Sequence, residues 1–583
     1  MHTRNAVPAE AADREEAATG HPRPEDVFGA ATVPEVLERA ARGGPGFLLI
    51  DKDLTETPLP GAVLAATARR VAAALALRGV GHGDRVAIMS STSSAFLCTL
   101  FGVWRAGAVP VIVPLPHRLA DLTDLMAETE RRLDHVGARC LVVSDAFHGF
   151  VGRRLGGGNR SERPLIPCSE LVSHQGPPPA PAQCAPDDVA YLQFTSGTTG
   201  TPKAVTLTHR QIMANAAVAW RTLGLDDGPA VVVHWLPLYH DMGLISTLGA
   251  LAGGARLVLQ PPEEFLARPD SWVDALSRYG ATHTVAPNFA YGLAARSMTQ
   301  RPRPLDLSAL RMCGDGAEPI RLPNLDAFVE AGAVHGLRAR AITPMYGLAE
   351  ATLAVAISPY DRPMARDRVS GTRLAAERVA EPVPAGAPDA RELAVCGPPV
   401  PGVRIRITGD DGTELGPRRV GEVCLRGPSV MRGYWKAQGA TAEVIRDGWL
   451  HTGDLGYLTE DGLVVCGRIK DVIIAGGRNL YPEEYEHLSC EVDGVGQVCA
   501  AFGLPDTERV VVVAEIGRSG DDAAGLAGQV MTRLRERLGH APDRVVIVPR
   551  QAIPRTSSGK TRRSRCRQLF FAGELPELAS VGR

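Results

Sequence analysis

Thr195-Ser196-Gly197-Thr198-Thr199-Gly200-Thr201-Pro202-Lys203 follows the run Asp188-Val189-Ala190-Tyr191-Leu192, which reads as a strand. The hydroxyls and backbone N–H groups of such a turn suit a polyphosphate. It is not a Walker loop, because Gly197 and Gly200 stand too close together and Lys203 does not directly follow a glycine. The closing lysine carries information because lysine is scarce. Of 63 Lys and Arg residues, only Lys52, Lys203, Lys436, Lys470 and Lys560 are lysines. Lys560 closes a similar turn, Pro554-Arg555-Thr556-Ser557-Ser558-Gly559-Lys560, and Lys470 lies in Gly467-Arg468-Ile469-Lys470-Asp471. An ammonium is a compact point charge that fits between phosphate and carboxylate oxygens where a planar guanidinium does not. Lys52 and Lys436 have no such setting.

Outward from that turn, helical and strand patterns alternate. Residues 61–78 read as an amphipathic helix, and Arg85-Val86-Ala87-Ile88-Met89 as a buried strand. Further strands are expected at residues 108–113, 139–143, 231–234 and 255–259. The alternation predicts an α/β fold with largely parallel sheets. Residues 358–397 lose periodicity and are expected to form a long insertion or surface loop, a kind of segment that is commonly functional. Beyond them, residues 403–407, 421–426 and 462–467 read as strands, and the chain after Lys470 is long enough for a small domain of its own. The expected organisation is a lead-in over residues 1–25 without order, a large N-terminal domain of packed α/β subdomains over 26–469, and a small mobile α+β domain over 470–583, hinged at Lys470.

A chain of 583 residues exceeds what one core usually serves. A formal charge of -2 gives no electrostatic case for nucleic acid or an anionic membrane surface. Eleven cysteines without a C-x-x-C pair point to reduced thiols in a cytosol, not to disulfides or a zinc site. The acidic lead-in is no secretory signal. Arg105, Pro110 and Pro114 interrupt the most apolar stretch, residues 95–116, so no membrane span is expected.

Taken in order, these motifs resemble those of the adenylate-forming superfamily, which activates carboxylic acids with ATP, over residues 28–571. Tyr346-Gly347-Leu348-Ala349-Glu350 resembles the segment whose tyrosine stacks on adenine and whose glutamate binds Mg2+. Gly314-Asp315-Gly316-Ala317-Glu318-Pro319 resembles the adenine-contacting turn, and Thr452-Gly453-Asp454 with Arg468 matches the ribose positions. The resemblance further implies that Lys560 bridges substrate carboxylate and α-phosphate oxygens, while the turn with Lys203 guides pyrophosphate out. A carboxylate attacking an α-phosphate meets a highly charged electrophile, so neutralisation and positioning carry the catalysis. Arg562, Arg563, Arg565 and Arg567 read as a basic surface face.

Residues 235–245 and 286–291 are similar to segments of the fatty acyl-AMP ligases, which implies an acyl pocket with Trp235, Asn288, Phe289 and Tyr291. His240 is expected at its carboxylate end; an acid that is already ionised needs no general base. The insertion at 358–397 falls where that branch carries one thought to restrain the C-terminal domain and disfavour CoA. By contrast, Gly476 in Ile474-Ala475-Gly476-Gly477 and His451 before Thr452 resemble acyl-CoA ligases, and a glycine leaves room for a pantetheine arm. The reading is therefore activation of a hydrophobic carboxylic acid to acyl-AMP, with a carrier-protein phosphopantetheine thiol as acceptor and CoA as the alternative. An amino-acid-activating domain lacks an evident partner for an α-ammonium group other than Asp241. A binding protein that had lost the chemistry would have no need for Glu350, Asp454, Arg468 and Lys560 together.

Overall fold

Four parallel strands explain where the motifs meet. In the computed structural model, which describes residues 22–115, 122–155, 163–177, 180, 182–195, 202–475, 478–504, 507–518, 520–538, 540–555 and 560–582, an eight-stranded sheet forms the centre. Strands Val231–His234, His283–Ala286, Met312–Asp315 and Ile342–Gly347 run parallel within it. Their carboxyl ends point the same way, so the segments beginning at Trp235, Pro287, Gly316 and Leu348 emerge on one edge. In open α/β sheets that edge is where ligands bind. The strands are short apolar runs buried on both faces, as helices covering a parallel sheet require.

A second parallel sheet contains Val109–Ile112, Arg85–Met89, Ala138–Val143 and Leu165–Pro167. The expected helix over 61–78 is Gly61–Leu77. The sheets are not all parallel, however. Val189–Phe194, which ends just before the Ser/Thr/Gly stretch, pairs antiparallel with Ala204–Thr208, which begins just after it. Backbone joins the facing ends of the two strands, with Thr195 N donating to Lys203 O at 3.1 Å. Ser196, Gly197, Thr198, Thr199 and Gly200 lie outside the described residues.

A five-stranded antiparallel sheet follows, and its register places Asp454 directly opposite Arg468. Chain then passes through the 3₁₀ turn Ile469–Asp471, which holds Lys470, into a separate four-stranded sheet built on Val510–Ile516. Both faces of that strand are buried, each in its own apolar cluster. The lead-in falls mostly outside the described residues, and the helix Pro24–Phe28 already begins at its far end. Among the described residues no helix is long and apolar enough to cross a membrane.

Residues 358–397 do not form a loop. Strand Arg366–Ser370, helix Gly371–Glu377 and strand Ala390–Ala394 make an antiparallel unit, and Val369, Leu374, Ala380 and Val395 join a core with Tyr457 and Tyr481. The sequence hides this because the unit is charged and its charges are paired. Buried Asp367 accepts from Tyr457 Oη at 2.8 Å and meets Arg418 at 3.0 Å.

Candidate active site

At the end of strand Ile342–Gly347, Tyr346 donates its hydroxyl to Asp454 Oδ2 at 2.7 Å. The other oxygen, Oδ1, accepts from Arg468 Nε at 2.7 Å. Asp454 is thus fixed from two sides while it lines a cavity. The turn ahead of it is held too: Glu422 accepts from His451 Nδ1 at 2.7 Å and from Gly453 N at 3.0 Å. Gly453 adopts φ +72°, where a side chain is disfavoured. Those bonds account for Glu422 and His451 as positioning groups, although with Cys424 they could also hold an ion.

Glu350 sits in the 3₁₀ turn Ala349–Ala351 and accepts from Tyr434 Oη at 2.8 Å, and its main-chain oxygen accepts from Met431 N at 2.7 Å. Burial raises its carboxyl above the ordinary range, and the nearby Asp241 adds to the rise. Lys203 Nζ lies 5.3 Å from the Tyr434 ring centroid, within cation–π range. Ala317 takes the turn after Met312–Asp315 at φ +69°, an uncommon conformation for alanine. Glu318 caps the preceding helix Asn288–Gln300, accepting from Phe289 N at 2.7 Å, and Asn288 donates to the buried Asp315 at 2.7 Å.

His240 caps the helix Asp241–Ala252, and both residues line the cavity. Desolvation pushes the His240 imidazole down to about 3, helped by Lys560. Its Nε2 is buried without a hydrogen-bond partner, which leaves one nitrogen for a ligand. Lys560 comes from the C-terminal part and reaches this point. Burial lowers its amine, while Asp241, Glu318 and Asp454 oppose that and Arg468 adds to it. A neutral His240 has a testable consequence. Because its folded-state value lies well below the working range, His240 does not change charge between about pH 5 and pH 8. His240→Asn is therefore expected to leave the shape of the pH–rate profile unchanged over that interval, and a lost limb near neutrality would show a titrating imidazole at work.

The cavity, about 2080 Å³, runs through all these groups. Its apolar arm passes between two helices, lined by Ala216, Ala219 and Trp220 on one and Met242, Ile245 and Gly249 on the other. Among the expected pocket residues, Asn288 and Phe289 line the cavity, whereas Trp235 and Tyr291 do not. Trp235 stacks on Phe265 with centroids 3.8 Å apart, and the Tyr291 hydroxyl donates to Gly314 O at 2.7 Å. Both serve the core. The arm escaped sequence reading because its signal, small residues at helical spacing, also marks close helix packing. Gly316, Ala317, Glu318, Tyr346, Gly347, Glu350, Asp454, Arg468, Lys203, Thr195, His240, Lys470 and Lys560 all reach the cavity. Tyr434 and Arg321 reach it as well, and neither was singled out in the sequence. Arg563 is no surface charge: it meets Asp471 at 2.8 Å, Glu483 at 2.9 Å and Glu486 at 2.6 Å, tying the segment after Lys560 to the turn Ile469–Asp471 and the helix Pro482–Cys490.

The profile of the AMP-binding enzyme family matches residues 56–435. A Caulobacter vibrioides protein named as an acyl-CoA synthetase is 36% identical over 564 residues, 93% of this chain and 96% of that one. The medium-chain-fatty-acid–[acyl-carrier-protein] ligase JamA of Moorena producens is 31% identical over 530 residues, 85% and 87% of the two chains. A solved chain from work on the fatty acyl-adenylate ligases of E. coli and L. pneumophila superposes with a TM-score of 0.87 at 30% identity, covering 94% of this chain and 99% of that one.

Proposed function

The chain belongs to the AMP-binding enzyme family, and we propose on that premise that it is an ATP-dependent ligase converting a hydrophobic carboxylic acid to acyl-AMP for delivery to a carrier protein. The observation that carries this reading is the junction at Lys560. An apolar arm opens there onto a polar chamber, and the lysine stands among Asp241, Glu318 and Asp454. In the first step a carboxylate oxygen attacks the α-phosphorus and pyrophosphate leaves; in the second a phosphopantetheine thiol takes the acyl group and AMP leaves. Asp454 and Arg468 are assigned to the ribose, Tyr346 to the adenine, and His240 Nε2 to the acid. Lys560 offsets charge that grows on the α-phosphate in the transition state. Lys203, beside Tyr434, is assigned to the departing pyrophosphate.

Mg2+ fits the acidic end of the chamber. Asp241 adds to the rise of the Glu350 carboxyl, a repulsion that a hard cation bound to oxygen ligands relieves. Glu350 would hold the ion, which would supply neutralising charge to the phosphates. Glu350→Gln keeps the bond from Tyr434 Oη and removes the charge, so the variant is expected to need at least ~10-fold more Mg2+ for half-maximal rate with little change in melting temperature. Identical Mg2+ curves for the two proteins would remove Glu350 from this role.

Packing of residues 366–394 against the C-terminal part supports a carrier-protein acceptor over free CoA. The deciding experiment is a panel of carboxylic acids of graded chain length, incubated with ATP and either CoA or a holo carrier protein, with products identified by mass spectrometry. Acyl-AMP that disappears only with the carrier is the expected result. Acyl-CoA formed as fast as acyl-AMP would replace the acceptor, and no pyrophosphate release with any acid would defeat the assignment.

A further inference from the structure

Cys490 ends the helix Pro482–Cys490, and Cys499 lies in the strand Val495–Gly503. Their sulfurs are 3.3 Å apart. The two differ in access: Cys499 is 2% exposed, whereas Cys490 is only half-buried. Facing Cys490 is Arg321, which belongs to the N-terminal part and directly follows the turn Gly316-Ala317-Glu318-Pro319-Ile320. The charge of Arg321 acts on Cys490 and on Glu486, so this electrostatic contact crosses between the two parts of the molecule.

Surroundings separate Cys490 from every other thiol. The bond to Cys499, with Arg321 adding to it, holds the Cys490 thiol below the ordinary range against its own burial and against Glu486. Cys98, Cys168 and Cys184 are pushed by burial up to about 11, and Cys140, Cys313, Cys396, Cys466 and Cys566 up to about 12. Burial raises Cys424 as well. A thiolate is the nucleophile towards oxidants, so attack concentrates on Cys490, and the neighbouring Cys499 is placed to resolve the product.

We propose that Cys490 and Cys499 are an oxidation site, at which a peroxide converts the pair to a disulfide and so weakens the hold of the C-terminal part on the turn that precedes Arg321. The Cys490 thiolate attacks one peroxide oxygen, breaking the O–O bond to leave Cys490 sulfenic acid and hydroxide, which takes a proton to become water. Cys499 sulfur then attacks the Cys490 sulfur, expelling the hydroxyl, which leaves as water with the Cys499 proton. Two thiols and one hydrogen peroxide thus become one disulfide and two water molecules. The disulfide carries no charge, so Arg321 loses Cys490 as a facing anion and keeps Glu486.

The test does not rest on the acyl-AMP reading. The whole protein would be treated with hydrogen peroxide and digested without reduction, and hydrogen–deuterium exchange would be followed over residues 316–321 before and after. Expected is a peptide pair joined through Cys490 and Cys499 as the first oxidation product. Exchange over 316–321 should rise up to about tenfold, as loss of one of the charges facing Arg321 implies, and return to its starting value with dithiothreitol. In Cys499→Ser the reaction should stop at the sulfenic acid, captured on Cys490 by dimedone. Another cysteine oxidising before Cys490, or Cys499→Ser giving no Cys490 adduct, would overturn the site. A joined peptide with unchanged exchange over 316–321 would overturn its effect on the contact. Neither measurement requires adenylation, so their failure is distinct from failure of the proposed activity.

Discussion

Lys560→Ala is expected to lower acyl-AMP formation ~100-fold to ~1,000-fold, the usual cost of removing one group that stabilises developing transition-state charge. The lysine stands among Asp241, Glu318 and Asp454, and this acidic setting opposes the lowering of its amine by burial. Alanine removes one of the three ammonium groups, with Lys203 and Lys470, among the described cavity-lining residues. The ATP side of the chamber should survive, because Tyr346, Asp454 and Arg468 bond one another without Lys560. ATP is therefore expected to protect variant and wild type equally against thermal unfolding, while pyrophosphate exchange collapses. Lys560→Arg should not restore the rate, because a planar fork cannot take the position of a point charge. Exchange at an undiminished rate in the alanine variant would show that the acid and α-phosphate meet elsewhere.

The sequence made one layer of this arrangement readable and concealed another. Gly316, Tyr346 and Glu350 were named from motif resemblance alone, and the structure puts them at or just beyond the carboxyl ends of Met312–Asp315 and Ile342–Gly347, strands that the sequence reading had not expected. Asp454 and Arg468 were read as a pair of ribose residues, and the sheet register puts them opposite each other. Partners brought in by tertiary packing were not readable. Tyr434 is 84 residues from the Glu350 carboxylate it bonds, and nothing in its own neighbourhood marks it. Arg563 looked like one of four surface arginines because charge pairing is invisible in one dimension; three carboxylates from the turn Ile469–Asp471 and the helix Pro482–Cys490 surround it. The insertion misled for the same reason, since its charged residues are matched across the fold. Trp235 and Tyr291 show the converse: large aromatic residues beside a pocket segment more readily fill the core than line the cavity.

Arg391→Ala is expected to raise acyl-CoA formation roughly 100-fold over the wild type while lowering adenylation by no more than about tenfold. Deleting the insertion is a poor test, because Val369, Leu374, Ala380 and Val395 form part of a core and their loss would expose Tyr457 and Tyr481. Arg391 allows a cleaner cut. Its Nε meets Glu484 Oε1 at 2.9 Å, joining the insertion to the helix Pro482–Cys490 of the C-terminal part, and its guanidinium lies 5.1 Å from the Tyr481 ring centroid. Burial raises the Glu484 carboxyl, and Arg391 is the charge that opposes the rise. Removing one partner of a buried pair costs ~3–5 kcal/mol, because the other is left uncompensated. Rotation about Lys470 would return Glu484 to water, so that cost falls on the arrangement seen here and favours the rotated one. Even ~3 kcal/mol corresponds to roughly 100-fold in population. Lys560 and Arg321 still bind across the boundary in the variant, which is why adenylation should largely persist. Glu484→Gln, keeping an acceptor for Arg391 without the charge, should fall between the two. Gly476, the glycine that resembles CoA ligases, lies outside the described residues, and the experiment weighs it against the insertion directly. Acyl-AMP accumulating unchanged beside CoA in Arg391→Ala would show that this ion pair is not what withholds the acceptor, and rapid acyl-CoA formation by the wild type would show that nothing withholds it.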